Sequence, residues 1–298
     1  MEEQFKIDDF FSKRTGINIF KYYDTNVIIY EDHRTILNVL FVLFKIGKLK
    51  FDLVPNIISF DLHDDFNQGL KKSEIFNILN IKSFDNIELK DFWSFVEFDC
   101  NGLDNDWVKI AMELNMIKDY VNIGGYYIDS LKESPEYISE DNISHKLYYL
   151  KHLDFELSNT DNFIGQLVNP IERTLELRNI FGFNNFENCQ NNFSDIQYPY
   201  ILDFDLDCFT APNIMLVDLV EHEPLGIVWN EKTFKDLYYG FSDNFVRDFM
   251  RCLIKRSEIT TICLEPFYCG GYKESIQILE YLDKYIFEGK LQTSIEWI

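Results

Sequence analysis

Short runs of β-branched and aromatic residues alternate along the chain with longer segments in which apolar residues recur every three or four positions. The short runs are typical of strands buried on both faces, and the longer segments are typical of amphipathic helices. The first sixty residues predict a strand over 27–30, a helix over 34–48 and a second strand over 57–60. A strand, a helix and a strand in this order indicate a βαβ unit and therefore an α/β fold with a mostly parallel sheet.

The same alternation continues through the rest of the chain. It predicts a helix over 107–120, a strand and turn over 121–125, a strand over 200–207, a helix over 243–257, a strand over 260–264 and a helix over 273–287. Residues 130–198 interrupt the rhythm, because they are rich in Asn, Asp, Ser and Tyr and have no clear period after Phe181. A polar stretch of this length inside an α/β domain usually indicates an insertion or a lid. We therefore expect one three-layer α/β/α domain over residues 1–298, with helices on both faces of the sheet and a polar insertion at 130–198.

Composition and charge narrow the classes of partner. The chain has 298 residues, of which 46% are hydrophobic, so it can bury a substantial core. Its 50 acidic and 28 basic residues give a formal net charge of -22. Such a surface repels phosphate backbones and attracts cations, which disfavours nucleic acid and favours a cationic substrate. The alternative is that the acidity only keeps the chain soluble.

The remaining composition predicts a soluble cytoplasmic protein. The six cysteines are scattered without paired short spacings, so we expect them to be reduced and mostly buried. The N-terminus lacks the basic and then apolar layout of a signal peptide, and the longest apolar stretch, at 39–44, is far too short to span a membrane.

Candidate metal ligands follow the predicted strand over 57–60. Asp61, His63 and Asp65 occupy alternate positions, and alternate side chains of an extended chain point to the same side. His33 also follows a predicted strand and precedes a helix. Since ligands in open α/β sheets gather at the carboxyl ends of strands, we expect these side chains to converge.

A second acidic cluster lies in the predicted strand over 200–207. Asp203, Asp205 and Asp207 alternate with apolar residues, so one face of the strand is expected to carry three carboxylates. Carboxylates this close repel one another, and a divalent cation is the simplest way to relieve that repulsion.

These motifs resemble those of the arginase or ureohydrolase superfamily, in which Gly-Gly-Asp-His, Asp-x-His-x-Asp and Ser-x-Asp-x-Asp segments surround a dinuclear manganese site. The corresponding segments here are 32–33, 61–65 and 203–207, with Asp203 in the place of the Ser. The resemblance implies an arginase-like fold and two Mn²⁺ ions, or other divalent metals, held by His33, Asp61, His63, Asp65, Asp205 and Asp207. A later segment, 263–267, resembles the superfamily's Glu-x-x-Pro-type segment, which implies that Glu265 binds the guanidinium of the substrate.

More narrowly, the segments 27–33, 61–65, 105–107 and 202–209 are similar to a divergent branch that includes peptide arginases. Those enzymes convert arginine side chains of ribosomally made precursor peptides to ornithine. The resemblance implies that Asn105 and Asp106 contact the substrate, although Asp106 is also well placed to be the N-cap of the helix that follows.

The chain departs from the superfamily pattern in several places. Tyr30 and Glu31 stand where the first motif has two glycines, and Thr210 and Ala211 stand where the third motif ends in Asp-Pro. No histidine follows Asp65 closely, so the proton-shuttling histidine of the superfamily has no clear counterpart. The remaining candidates for that role are His145, His152 and His222.

The resemblance therefore implies a metal-dependent hydrolase that cleaves the guanidinium of a peptidyl arginine to ornithine and urea. In this mechanism Asp65 relays a proton from the attacking water, and Glu265 holds the substrate nitrogens. One alternative is an amidohydrolase or deacetylase acting on another cationic small molecule, such as agmatine or a polyamine. The other is a non-catalytic protein that binds a basic peptide. The sequence does not predict the oligomeric state.

Overall fold

We describe the protein from a computed structural model. It describes residues 11, 16–61, 63, 65–66, 69–100, 106–123, 136–150, 153–154, 166–167, 199–212, 226–228, 231–235 and 244–291. Within these ranges, no helix is both long enough and apolar enough to cross a membrane.

A central sheet of eight strands organises the chain. The strands of the described residues are β1 (Asn18–Tyr22), β2 (Thr25–Tyr30), β3 (Asn56–Phe60), β4 (Tyr120–Ile123), β5 (Glu136–Ile138), β6 (Ser144–Leu150), β7 (Leu153–Asp154), β8 (Gln166–Leu167), β9 (Tyr200–Asp205), β10 (Thr210–Pro212), β11 (Gly226–Val228) and β12 (Ile259–Cys263). The order in the main sheet is β1-β2-β12-β9-β3-β4-β6-β5. All pairings from β2 to β6 are parallel, and only the two edge strands are antiparallel. The prediction of an α/β fold with a mostly parallel sheet is confirmed.

The helices lie between the strands in sequence. They are α1 (Thr35–Lys45), α2 (Lys72–Ile78), α3 (Leu89–Phe98), α4 (Trp107–Glu113), α5 (Glu231–Thr233), α6 (Asn244–Arg256), α7 (Pro266–Cys269) and α8 (Tyr272–Leu282). A 3₁₀ turn at Phe84–Asn86 precedes α3, another at Leu206–Phe209 follows β9, and a π turn at Asp283–Phe287 extends α8.

Hydrophobic side chains form two clusters, and successive residues of the central strands alternate between them. In β2, for example, Val27 and Ile29 belong to a cluster that includes residues of α6 and α8. Ile28 and Tyr30 belong to the other cluster, which includes residues of α1, α3 and α4. Because both faces of these strands are buried, their sequences are almost continuously apolar and lack the alternation of a half-exposed strand.

Two predicted boundaries were wrong in ways that affect the site. The helix predicted over 107–120 ends at Glu113, because Asn115 adopts a left-handed conformation with φ 53° and Tyr120 already belongs to β4. The strand predicted over 200–207 ends at Asp205, and a 3₁₀ turn follows it. In addition, β5 and β6 of the main sheet lie inside the stretch predicted as a polar insertion.

Candidate metal centre

The strand order brings four ends of parallel strands together. The strands β2, β12, β9 and β3 are consecutive neighbours in the sheet. His33 lies three residues after β2, Glu265 two residues after β12, Asp61 directly after β3, and Asp205 is the last residue of β9. All four side chains therefore meet at the carboxyl edge of the sheet, where open α/β folds place their ligands.

The predicted ligands form three overlapping groups. The ligand atoms of His33, Asp61 and Asp65 lie within 4.8 Å of one another, as do those of Asp61, His63 and Asp207. A third group combines His33 and Asp205 with Glu265. Asp61 is shared by the first two groups and His33 by the first and the third, so the three groups form one connected set of possible metal ligands.

The ring of His33 shows how closely the carboxylates converge. Its Nδ1 atom lies 2.8 Å from Asp65 Oδ2, 2.9 Å from Asp205 Oδ2 and 3.6 Å from Asp61 Oδ2. Among the described residues, however, neither His33 Nδ1 nor Asp61 Oδ2 has a hydrogen-bond partner of acceptable geometry. Several carboxylate oxygens thus surround one ring nitrogen without being aimed at its proton, which is the arrangement expected of ligands around a shared cation.

Without a metal ion, burial and mutual repulsion make the ionised form of these carboxylates unfavourable. Burial, together with Asp65 and Asp205, raises the pKa of Asp61 well above its usual range. Burial and the neighbouring Asp207 raise the pKa of Asp205 to about 7. Burial alone lowers the pKa of His33, but Asp203, Asp205 and Asp65 outweigh it and raise the pKa well above 6.5. A divalent cation would offset the mutual repulsion of the carboxylates, which adds to the effect of burial in raising the pKa values of Asp61 and Asp205.

At His63 and Asp65 the backbone after β3 is not extended, so the predicted alternation is wrong at these residues. Asp65 has a φ of 46°, and the backbone N–H of His63 donates a hydrogen bond to Asp61 Oδ1 at 2.7 Å. The amide of Asn122 in β4 holds the carbonyl of His63. The segment is therefore bent so that His63 approaches Asp207, at 2.8 Å, while Asp65 approaches His33.

The third acidic position is also set by a turn. The backbone N–H of Asp207 donates a hydrogen bond of 3.2 Å to Asp205 Oδ1, which caps the 3₁₀ turn that follows β9. Thr210 Oγ1 donates to the carbonyl of Asp207 at 2.7 Å. Asp207 is fully buried and reaches the site from this turn. If β9 had continued, Asp207 would lie on the same strand face as Asp205, two residues further along the strand.

Asp203 lies on the same face of β9 as Asp205, but four hydrogen-bond donors already occupy its carboxylate. It accepts hydrogen bonds from His33, Ser59, Thr261 and Tyr30. The expectation of one strand face with three carboxylates is therefore correct for Asp203 and Asp205, which alternate within β9, and wrong for Asp207, which lies in the 3₁₀ turn that follows. Asp203 contacts the site through His33 and lies outside all three ligand groups.

Trp107 supports the site in a role that the sequence did not predict. Its Nε1–H donates a hydrogen bond of 2.5 Å to Asp65 Oδ2, and its ring lies 5.0 Å from the ring of His33. Trp107 is fully buried at the first position of α4. Trp107 belongs to the segment 105–107, which is similar to the peptide arginases. That similarity is the one sequence signal that points to a role for Trp107 in the site.

Glu265 has the most unusual backbone of the site residues. It adopts a left-handed conformation with φ 36° and ψ 60°, which is costly for a residue with a side chain. The residue is 5% exposed, and its Oε1 accepts a hydrogen bond of 3.3 Å from the backbone N–H of His33. This conformation aims the carboxylate at the ligand group of His33 and Asp205.

The other predicted contacts are placed less clearly. Asn105 lies outside the described residues. Asp106 occupies the N-cap position of α4, but its side chain makes no capping hydrogen bond, and it is only 4% exposed. His145 lies near the start of β6, where its Nδ1 contacts the carbonyl of Lys118 at 2.7 Å. It is therefore at the amino edge of the sheet, opposite the site, and is excluded as a proton shuttle. His152 and His222 are outside the described residues.

Aromatic side chains lie at the more exposed side of the site. The side chain of His63 is 16% exposed, and its ring lies 5.1 Å from the ring of Tyr268. Tyr268 in turn contacts Phe267, which is 66% exposed. Tyr272, also largely exposed, donates a hydrogen bond to the carboxylate of Glu31. We call Phe267, Tyr268 and Tyr272 the aromatic rim.

The described residues fit a metal centre, since buried carboxylates and imidazoles in overlapping groups are a donor set for divalent cations. Comparison of the chain with models of known protein families finds no match, and comparison with curated proteins finds none either. The five described cysteines form no disulfide and are buried, as predicted, and they belong to none of the ligand groups.

Proposed function

We propose that the protein is a metal-dependent hydrolase of the arginase type, with a three-layer α/β/α fold and two divalent cations, Mn²⁺ in the first instance. The observation that carries this proposal is the pair of ligand groups that share Asp61. One group contains His33 and Asp65, and the other contains His63 and Asp207. All six residues implied by the resemblance are present in one or more of the three groups.

The charge of the site supports a cationic substrate. When ionised, the four ligand aspartates and Glu265 carry more negative charge than two divalent cations can neutralise. A guanidinium would balance the remainder in a buried site, where an uncompensated charge is costly. The overall charge of -22 would also raise the local concentration of cations around the protein.

The reaction we propose is hydrolysis of arginine to ornithine and urea. When bound, a pair of divalent cations lowers the pKa of water and so supplies hydroxide at neutral pH. A C–O bond forms at the guanidinium carbon, the bond from that carbon to the side-chain nitrogen of arginine breaks, and the leaving nitrogen takes up a proton.

The residues of the chain have separable roles in this reaction. Asp65, held by the indole of Trp107, is the group that accepts the proton of the attacking water. Glu265 accepts hydrogen bonds from the guanidinium nitrogens, and its strained backbone fixes the direction of its carboxylate. A preset carboxylate avoids the cost of ordering a flexible side chain when the substrate binds.

A peptide is the substrate that the surroundings support best. Phe267 and Tyr272 of the aromatic rim are exposed and offer stacking surfaces, and Glu31 lies beside Tyr272. Exposed aromatic rings next to a carboxylate suit a cationic peptide chain, because rings bind both apolar and cationic side chains. Asp106, the described member of the 105–106 pair, is buried, so we do not assign it a contact with the peptide.

The test is urea release by the Mn²⁺-loaded protein from three substrates at matched concentration: an arginine-containing peptide, free arginine and agmatine. We expect the peptide to give the highest kcat/KM and to lose CH₂N₂ per converted arginine in mass spectrometry. A higher kcat/KM for free arginine or agmatine would refute the peptide assignment. Absence of urea from all three would refute the guanidinium hydrolase.

Metal stoichiometry, acetate release and peptide binding separate the two alternatives from this hydrolase. A single-metal deacetylase would bind one cation per chain and release acetate from an acetylated polyamine. A non-catalytic binding protein would retain the peptide without releasing urea. The overlapping groups around Asp61 favour two cations, which is the reason for preferring the dinuclear hydrolase.

A further inference from the structure

One buried carboxylate of the site is used entirely for hydrogen bonds within the protein. Asp203 is fully buried, and each of its oxygens accepts two hydrogen bonds. Oδ2 accepts from His33 Nε2 at 2.8 Å and Ser59 Oγ at 2.7 Å. Oδ1 accepts from Thr261 Oγ1 at 2.6 Å and Tyr30 OH at 3.4 Å. A carboxylate has about four acceptor sites, so Asp203 has none left for a metal ion.

The register of the sheet builds this arrangement. Asp203 in β9 is the register partner of Ser59 in β3 and of Thr261 in β12. These three side chains therefore stand side by side on one face of three parallel strands. Both hydroxyl donors are fully buried and lie on the two strands that flank β9, which fixes the carboxylate in position.

The consequence falls on the ring of His33. A histidine nitrogen that donates to a carboxylate carries the proton, which leaves the other nitrogen as the metal ligand. With Nε2–H directed at Asp203, Nδ1 faces Asp65 and Asp205 at 2.8 and 2.9 Å. We infer that Asp203 is a positioning residue, which fixes the tautomer and ring orientation of His33 for metal binding through Nδ1. This inference rests on the proposed metal centre.

A serine at this position could accept only some of these hydrogen bonds. Its hydroxyl is shorter than an aspartate side chain and can accept at most two hydrogen bonds, whereas Asp203 accepts four. Position 203 carries Asp where the superfamily motif has Ser. The additional hydrogen bonds that Asp203 can accept come from Ser59 and Thr261 on the two flanking strands.

Calorimetric titration of the metal-stripped full chain with Mn²⁺ tests the inference without relying on catalysis. We expect Asp203→Asn to weaken one of two binding steps by about 10- to 100-fold and to leave the other within about threefold, because partners of metal-ligating histidines have effects of this size. The matched control is Asp283→Asn, which neutralises another fully buried aspartate that accepts from the backbone N–H of Leu291. This control should lower stability while leaving both binding steps unchanged.

Two results would overturn the role of Asp203: both binding steps unchanged in Asp203→Asn, or both weakened alike, as a generally loosened fold would produce. A second measurement requires no substitution. In the Zn²⁺-loaded wild-type chain, nitrogen NMR of the imidazoles should show His33 protonated at Nε2 and metal-bound at Nδ1. Metal on Nε2 would contradict the inference. A wild-type chain that binds no cation would contradict the proposed metal centre itself, which distinguishes the two failures.

Discussion

Neutralising Asp205 should stabilise the metal-free protein while abolishing its response to metal. Asp205 is 2% exposed and lies between His33 and Asp207 in a cluster of carboxylates. The isosteric change Asp205→Asn removes one negative charge from this cluster and keeps the volume of the side chain. Binding sites often cost stability in this way, because their groups are arranged for a ligand and repel one another without it.

The magnitude follows from the pKa of Asp205, which burial and Asp207 raise from 3.8 to about 7. At roughly 1.4 kcal/mol per pH unit, the shift corresponds to a penalty on the order of 4 kcal/mol for the ionised side chain. Because the folded pKa is the higher one, the penalty is absent below the unfolded pKa of about 4. It grows as the pH rises from there to about 7, where the folded group ionises.

The assay is urea-induced unfolding of wild type and variant in EDTA at pH 4.5, 6 and 7.5. We expect the variant to gain stability over the wild type as the pH rises, up to a few kcal/mol at pH 7.5. In Mn²⁺ at a thousand times its dissociation constant, the wild type should gain about 4 kcal/mol and the variant much less. The control is Asp52→Asn at an exposed position beyond the amino edge of β3, which should change neither quantity.

Two outcomes would refute this reasoning. A variant that is less stable than wild type in EDTA at pH 7.5 would show that Asp205 is not under electrostatic strain. A variant that Mn²⁺ stabilises as much as the wild type would show that Asp205 is not a ligand.

Three further predictions concern the surroundings of the site. Trp107→Phe removes the donor to Asp65, and a buried hydrogen bond to a charged group contributes about 1.5–3 kcal/mol, so kcat should fall roughly 10- to 100-fold in steady-state urea release; an unchanged kcat would exclude the contact from catalysis. Phe267→Ala should raise KM for the peptide and leave KM for free arginine unchanged, whereas Tyr23→Ala, an exposed aromatic at the amino end of β2, should affect neither; equal effects on both substrates would argue against the aromatic rim. Burial lowers the pKa of His145, so its stabilising contribution is complete above the unfolded pKa of about 6.5 and is lost as the pH falls through the lowered folded value. We therefore expect the His145→Gln variant to lose less unfolding free energy than the wild type between pH 7.5 and pH 5. An equal loss in both proteins would contradict the lowered pKa of His145.

The sequence predicted the central sheet well because its strands are buried on both faces. Runs such as 57–60 and 260–264 are almost continuously apolar, and each is followed by helical periodicity or by polar residues. It did not predict β1, β5 or β6; of these, β1 and β5 pair antiparallel at the two edges of the sheet, and β6 lies next to β5. Edge strands are only partly buried, so their apolar pattern is weaker.

The ligand positions could be predicted as types and spacings but not as geometry. Alternation along an extended strand wrongly placed Asp207 on the strand face of Asp203 and Asp205, because the side-chain-capped turn after Asp205 is not visible in a period of two. The hydrogen bonds from Ser59 and Thr261 to Asp203 depend on the register of strands whose residues are more than fifty positions apart in the chain. No local pattern contains that register, and it follows only from the order of the strands in the sheet.

The most direct test of the metal centre is anomalous diffraction from crystals of the Mn²⁺-loaded protein, recorded at the manganese absorption edge. The structure predicts two adjacent peaks that share Asp61, one also contacting His33 and Asp65 and the other also contacting His63 and Asp207. A single peak, or two peaks with no shared carboxylate, would contradict the dinuclear centre on which the proposed hydrolase depends.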